Sequence, residues 1–261
     1  MFGFLQSIGD KTIKIFFSFY EAIVFIGICL IHMINPKSYN PAMRVVLVKQ
    51  IYFTSIGILP IFSFMAILFG TIFIGIIIYF ATLYGLEDDI GEILVTFAIK
   101  EFSPFFTTLL IALRSSTAIN TEIAVMKVNK EIDSLRAFKI DFIDYLFLPR
   151  IISGVVSVTA LSTLFAIIML LGGYLFTLFY MNMDFHTYKS ILISAIDFED
   201  LAVLILKAMS FGFVIMMIPI YSGLKTAHGY TAIPISVLNG MMKLFIAIFF
   251  VEVLSLLIQW I

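Results

Sequence analysis

The chain of 261 residues is too apolar to be a soluble domain: 62% of its residues are hydrophobic and 13% are charged, whereas soluble domains carry about 25% charged residues. The net charge of −1 gives no basis for binding nucleic acid, and little length remains outside the apolar segments for a catalytic domain. The single cysteine, Cys29, excludes an intrachain disulfide, and the three histidines share no ligand spacing. We therefore expect an all-α integral membrane protein.

The first predicted element is an apolar segment at the N-terminus, within residues 1–35. Two lysines precede the apolar run, as in a signal peptide, but no small-x-small cleavage site follows, so we expect no cleavage. The run from Ile13 to Ile34 is long enough to span a membrane, yet it contains Glu21 and His32. Charged and apolar residues alternate at its start, which favours an interfacial or re-entrant helix over a sixth span.

Five longer apolar segments follow, and each exceeds the roughly 20 residues that a transmembrane helix needs. Their excess length predicts tilt or extension beyond the bilayer. A hydrophilic segment, residues 114–147, separates the second span from the third. The five predicted spans cover residues 50–83, 90–113, 148–180, 201–224 and 234–261.

Basic residues are concentrated in the loops on one side of this five-span topology. Residues 36–50, 114–150 and 225–233 hold ten lysines and arginines, whereas the opposite loops, residues 84–91 and 181–200, hold only Lys189. The positive-inside rule therefore predicts that the 114–147 segment is cytoplasmic and that the C-terminus lies on the other side.

The 114–147 segment has the pattern of two short helices. Its apolar residues recur at helical spacing and predict helices over 117–127 and 130–139, with a break near Val128 and Asn129. We expect Asn129 to be the N-cap of the second helix. The apolar stripe has to be buried against a partner protein or the membrane surface; the alternative is a solvated loop with some interfacial helix. The residues of the stripe are Ile123, Met126, Ile132, Leu135 and Phe138.

Several short motifs fall between Glu101 and Ser153: a Glu-x-x-Pro pair, an Arg-Ser-x-x-Ala run, a Glu-Ile-Asp-x-Leu run and Leu-Pro-Arg. In these motifs the chain resembles the MlaE/YrbE permease family, and a weaker likeness extends from Arg44 to Ile261. Ser116 and Val125 depart from the family pattern, which has glycine there. The matching residues are Glu101, Pro104, Arg114, Ser115, Ala118, Glu122, Met126, Val128, Glu131, Ile132, Asp133, Leu135, Pro149 and Arg150.

The resemblance implies a membrane subunit of an ABC-type lipid transporter in the bacterial inner membrane. Such a subunit forms a homodimer and works with a cytoplasmic ATPase dimer, a periplasmic MCE-domain protein and often a STAS-domain protein. The chain has no Walker A pattern, so ATP and Mg would be bound by the ATPase; we expect no catalytic residue, cofactor or metal in this chain. The 114–147 segment would be the coupling segment that contacts the ATPase, through Glu122, Met126, Lys127, Glu131, Asp133, Leu135 and Arg136.

Five ionisable residues lie within or at the edge of the spans, where charges are costly and often functional. With a helical rise of 1.5 Å per residue, Glu101, Lys207 and Glu252 all lie roughly 10–15 Å from the non-cytoplasmic side. Charges of both signs therefore fall in one layer. They are either structural ion pairs, or a polar layer that contacts a lipid headgroup or gates its exit, with Asp200 marking a route inward. The five residues are Lys100, Glu101, Asp200, Lys207 and Glu252.

An apolar stripe runs along the first span at fourfold spacing. Such a stripe usually faces lipid or another helix; the resemblance makes it a candidate lining for a lipid pocket. It consists of Phe64, Leu68, Ile72, Ile76 and Phe80.

The leading hypothesis is a permease that moves phospholipid between the inner membrane and an MCE-domain partner. The alternative is a secondary transporter or ion channel that uses Glu101, Lys207 and Glu252, although five spans without a detectable inverted repeat weigh against it. An intramembrane enzyme is disfavoured because the chain lacks the HExxH and GxSxG motifs.

Overall fold

The computed structural model describes residues 17, 20–86 and 88–259, and within them the regular structure is entirely helical. Five helices are long and apolar enough to cross a membrane, and a shorter apolar helix precedes them. The predicted all-α membrane fold is therefore confirmed. Residues 1–16, 18 and 19, where the N-terminal helix was expected to begin, lie outside the described residues, as do residues 260 and 261 at the end of the fifth predicted span.

The eight helices of the described part follow one another with short connections, and a 3₁₀ turn at Pro36–Ser38 precedes the second. Helices α2, α3, α5, α7 and α8 have membrane-spanning length. The bounds are α1 Tyr20–Ile34, α2 Pro41–Leu83, α3 Ile90–Val128, α4 Glu131–Ala137, α5 Ile143–Tyr180, α6 Phe185–Ala195, α7 Phe198–Leu224 and α8 Ala232–Gln259.

Two helices extend well past the apolar windows from which the spans were predicted. Helix α2 begins at Pro41 because the side chain of Asn40 caps it, accepting a hydrogen bond from the backbone N–H of Met43 at 2.8 Å. Helix α3 continues without interruption into the hydrophilic segment and ends at Val128. Hydropathy detects the membrane-embedded part of a helix, whereas capping sets where the helix ends.

Helix α5 lies at the centre of the bundle and packs against α2, α3 and α7. Small residues let its backbone approach that of α2: a Cβ on Gly70 would meet the carbonyl oxygen of Met169 at 2.1 Å. The Thr71 hydroxyl donates a hydrogen bond to the carbonyl oxygen of Gly172 at 3.0 Å, across the same contact. Such small-residue contacts supply the close van der Waals packing that holds helices together in lipid.

Phenylalanine rings fill the space between α2, α3 and α5. Phe62 and Phe165 meet edge to face with ring centroids 5.1 Å apart, and Phe102 stacks on Phe106 at 5.3 Å. Aromatic pairs prefer these geometries and gain energy beyond the area that they bury. Helix α8 lies at the periphery, with the smallest buried share of the five long helices.

Polar contacts join helix α1 to the end of the bundle that carries residues 114–147. Glu21 forms an ion pair with Lys225, and His32 Nδ1 lies 2.7 Å from Asp144 Oδ1. Asp141 lies beside this pair, with the three possible ligand atoms within 4.8 Å of one another, but its carboxylate already accepts a hydrogen bond from the Ile143 N–H at the start of α5. The absence of a metal from this chain and the interfacial position of α1 stay predictions.

Candidate functional site

Three of the five charges predicted within or at the edge of the spans meet around Lys207 of α7. Its ammonium forms an ion pair with Glu101 of α3 and lies 3.0 Å from Glu252 Oε1 of α8. The lysine is almost fully buried, at 3% exposure. Three spanning helices therefore contribute to one charged cluster, which we call the Lys207 cluster.

Gln259 belongs to the same cluster, and the sequence analysis missed it. Its side-chain amide donates a hydrogen bond to Glu101 Oε1 at 3.0 Å and also contacts the Ser255 side chain and backbone. An uncharged residue gives no signal in a search for charges within spans. Gln259 follows Glu252 by seven residues, so the two lie on one face of α8. That spacing was the clue from which Gln259 could have been predicted.

Lys100 and Asp200 form a separate pair rather than joining the Lys207 cluster. Their ion pair measures 2.6 Å, and Asp200 also accepts a hydrogen bond from the Asp197 N–H at 2.9 Å within the capping box that starts α7. The layer of charges is thus divided into two neutralised groups. The suggested route from Asp200 to Lys207 stays a prediction.

A π-helical turn in α3, Thr96–Phe102, contains both Lys100 and Glu101, which have different ion-pair partners. The wider turn holds both residues, and Lys100 contacts the start of α7 while Glu101 contacts its interior. π-turns within α-helices are frequent at functional sites. This one directs two neighbouring charges of opposite sign to two different partners.

The Lys207 cluster has one cation for two carboxylates. Within the described residues, Glu252 Oε2 is buried and has no hydrogen-bond partner. A cavity of about 330 Å³ lies beside the cluster, with polar lining from Lys207, Ser210, Ser255 and Gln259. Its remaining lining is apolar: Val203, Leu206, Val251, Leu254 and Ile258. The cavity thus combines a polar end with apolar walls, an arrangement that suits an amphiphilic molecule.

At the other end of α3, Glu122 is part of a structural contact. Arg150, 2% exposed, donates a hydrogen bond to Glu122 Oε1 at 2.6 Å and another to the carbonyl oxygen of Leu146 at 2.6 Å. This contact fastens the hydrophilic segment to the start of α5. A role of Glu122 in contacting an ATPase stays a prediction.

The prediction that Asn129 caps the second short helix is wrong. Lys130 takes the position before α4 with a left-handed backbone (φ 60°), and no side chain caps the helix. The Asn129 amide instead donates a hydrogen bond to Glu131 Oε1 at 3.1 Å and accepts one from the Tyr230 hydroxyl at 2.7 Å. The side chain thus ties the helix break to the loop between α7 and α8.

The chain itself covers part of the apolar stripe of this segment. Ile123 and Ile132 are buried, and Ile123 packs where Gly223 leaves room at the end of α7. Phe138 remains 77% exposed, and Met126 and Leu135 are half-buried. The charged side chains of the segment lie on its surface, with Lys127 partly covered and Glu131, Asp133 and Arg136 exposed.

The predicted lipid-pocket stripe of α2 lies on the outside of the chain. Phe64, Ile72, Ile76 and Phe80 are exposed, and Leu68 is half-buried. A pocket with this lining therefore needs a second copy or lipid to close it, and the role of the stripe stays a prediction.

Residues 47–258 match the permease MlaE family. A probable ABC transporter permease protein of Rickettsia typhi is 27% identical over 227 residues, covering 85% of this chain and 84% of that protein. The intermembrane phospholipid transport system permease protein MlaE of Haemophilus influenzae is 26% identical over 227 residues, with 85% and 84% coverage. With four-fifths of its length matched and five membrane-spanning helices in place, the chain belongs to the MlaE family of permeases.

Proposed function

We propose that this chain is the permease subunit through which an ABC-type transporter moves phospholipid between the inner membrane and a periplasmic MCE-domain protein. The observation that carries the proposal is the Lys207 cluster, from which Lys207 and Gln259 contribute to the polar end of an otherwise apolar cavity. Phospholipids combine these two chemistries, and the name of the Haemophilus influenzae relative specifies phospholipid transport.

In this proposal, ATP and Mg are bound by a separate cytoplasmic ATPase dimer. The surface for it is the segment from α3 to α4, where Glu131, Asp133 and Arg136 are exposed beside Phe138. An exposed aromatic ring ringed by charges is typical of a protein interface. The distribution of basic residues supports a cytoplasmic position for this segment.

Two copies of the chain would form the transporter, with the exposed faces of α2 and α8 as the surfaces available for the contact. The apolar stripe of α2 would then line a shared lipid chamber. A STAS-domain protein is proposed to accompany the ATPase, on the family resemblance alone.

The experiment is to express the tagged full-length chain in its native host, purify it in mild detergent and identify the proteins that accompany it. We expect an ABC ATPase and an MCE-domain protein. The absence of any ATPase overturns the proposal. Lipid or ion movement driven by an ion gradient in proteoliposomes that contain this chain alone would instead support the secondary transporter or channel.

A further inference from the structure

A second cavity lies between α2 and α3, far along α3 from the Lys207 cluster. It has a volume of about 250 Å³. Glu101 and Ser115, which mark the two places, are fourteen residues apart in α3, or about 21 Å at the helical rise of 1.5 Å per residue. The lining consists of one stripe from each helix: Lys49, Gln50, Phe53 and Thr54 from α2, and Ser115, Ala118, Ile119 and Glu122 from α3.

This cavity has an excess of positive charge. Within the described residues, neither Lys49 nor Arg114 has a carboxylate within 4 Å. The Arg114 guanidinium is outside the lining but lies over the ring of Phe53, a lining residue, 5.9 Å from its centroid. The one carboxylate in the lining, that of Glu122, is neutralised by Arg150. One cation, Lys49, therefore lines the cavity and a second, Arg114, lies beside it, and neither has a counter-ion among the described residues.

A buried hydroxyl also points to a ligand. Ser115 lines the cavity, is 4% exposed, and its Oγ has no hydrogen-bond partner among the described residues. A buried polar group without a partner costs about 1–3 kcal/mol. The Gln50 side chain, with further donors, lies across the cavity. The site thus presents Lys49 and several neutral hydrogen-bond donors to an anion, with Arg114 beside the lining.

The surface around the cavity is apolar. Phe53 is 61% exposed, and Val48, Tyr52 and Ile56 of the same helix are exposed as well. A ligand whose anionic group enters the cavity therefore has a greasy helix surface beside it. The volume is below the roughly 300–1,000 Å³ of pockets that enclose a drug-sized ligand, so it suits a headgroup and not a whole lipid.

We infer that this cavity binds the phosphate of a phospholipid from the cytoplasmic leaflet. Lys49 and Arg114 pair with the phosphate oxygens, the Ser115 hydroxyl donates a hydrogen bond, and the acyl chains lie along the exposed face of α2. Charge-assisted bonds to phosphate are the strongest that these groups form. The inference goes beyond the proposed function, because it holds whether or not the chain transports lipid, and its test uses neither ATPase nor transport.

The test measures phosphatidylglycerol binding to the delipidated full-length protein in neutral maltoside micelles. Each lost charge-assisted contact is expected to weaken binding about tenfold, so Lys49→Gln with Arg114→Gln lowers affinity 10- to 100-fold. The matched control is Lys37→Gln with Arg44→Gln, which removes two cations from the same side of the chain but outside the cavity lining. Equal affinities for both double variants and the unmodified protein overturn the inference.

A second measurement distinguishes lipid bound in this cavity from lipid bound elsewhere, including at the Lys207 cluster. Cys29 is the only cysteine, so Ala118→Cys in a Cys29→Ala background introduces a single thiol into the exposed part of the cavity lining. We expect phosphatidylglycerol to slow maleimide labelling of this thiol severalfold. A neutral glucosyl diacylglycerol and inorganic phosphate should leave the labelling rate unchanged.

The alternatives give different outcomes. Equal protection by inorganic phosphate identifies the ligand as a soluble phosphate and overturns the lipid assignment. Equal protection by the glucosyl lipid shows that the cations do not recognise phosphate. Lack of protection by phosphatidylglycerol shows that the lipid does not occupy this cavity, and each of these results also overturns the inference.

Discussion

Replacing Lys207 by methionine is expected to destabilise the protein by leaving two carboxylates without their cation. Breaking a buried ion pair by removing one partner costs about 3–5 kcal/mol. The lower end applies here, because Glu101 keeps its hydrogen bond from Gln259 and its side chain remains 22% exposed. At about 2–4 °C per kcal/mol for a chain of this size, the melting temperature should fall by about 10 °C.

The assay uses the only cysteine of the chain. Cys29 is 1% exposed, so a thiol-reactive fluorescent dye reports its exposure as the detergent-solubilised protein unfolds on heating. Lys243→Met is the matched control, because Lys243 is exposed on a spanning helix and has no ion-pair partner among the described residues. Equal melting temperatures for Lys207→Met and this control would refute the energetic reasoning.

A triple variant separates structural from functional roles. Glu101→Gln, Lys207→Met and Glu252→Gln together remove the charges while keeping the side-chain volumes, and replacing a whole buried ion cluster by neutral groups is often neutral or stabilising. We expect a melting temperature near that of the unmodified protein and a loss of lipid transport by the reconstituted complex. Normal transport by this stable variant would make the cluster structural only.

Two further predictions concern helix packing and the coupling segment. Gly70→Ala should lower the free energy of unfolding by at least about 1–3 kcal/mol, because the added Cβ meets a backbone carbonyl oxygen of α5 that cannot move aside. The dye assay measures this change. Gly27→Ala is the control: its Cβ meets nothing within 4 Å, so its melting temperature should be nearly unchanged. Glu131→Lys or Asp133→Lys should abolish ATPase co-purification without changing membrane insertion. The control, Lys189→Glu on the opposite side, should leave co-purification unchanged. Normal co-purification of the Glu131 and Asp133 variants would contradict the docking role.

The depth of the charged layer could be predicted because helical rise is constant. Counting residues from the ends of the spans was enough to group Glu101, Lys207 and Glu252, and the structure brings these three into contact. Counting residues gives the depth of a side chain along its helix but not the direction in which the side chain points around the helix axis. It therefore missed the division of the layer into two groups, in which Asp200 pairs with Lys100 rather than contributing to the Lys207 cluster.

The directions of Lys100 and Glu101 around the axis of α3 could not be predicted because of the π-turn at Thr96–Phe102. A hydropathy pattern that assumes 3.6 residues per turn does not reveal one widened turn, although this turn determines where Lys100 and Glu101 point. The same limit applies to the 114–147 segment. Its periodicity predicted an apolar stripe that needs burial, but the covering of Ile123 by α7 depends on tertiary packing at Gly223.

Helix α3 connects the two ends of the proposed transport path. It runs unbroken from the Lys207 cluster into the coupling segment, and α7 is fastened to it at two places: Lys207 pairs with Glu101, and the Ser116 hydroxyl donates a hydrogen bond to the Ile215 carbonyl oxygen at 2.7 Å. These places are about 22 Å apart along α3. Helices α3 and α7 are therefore joined at both places, and under the proposed docking role a movement of the 114–147 segment would reach the Lys207 cluster through α3 itself.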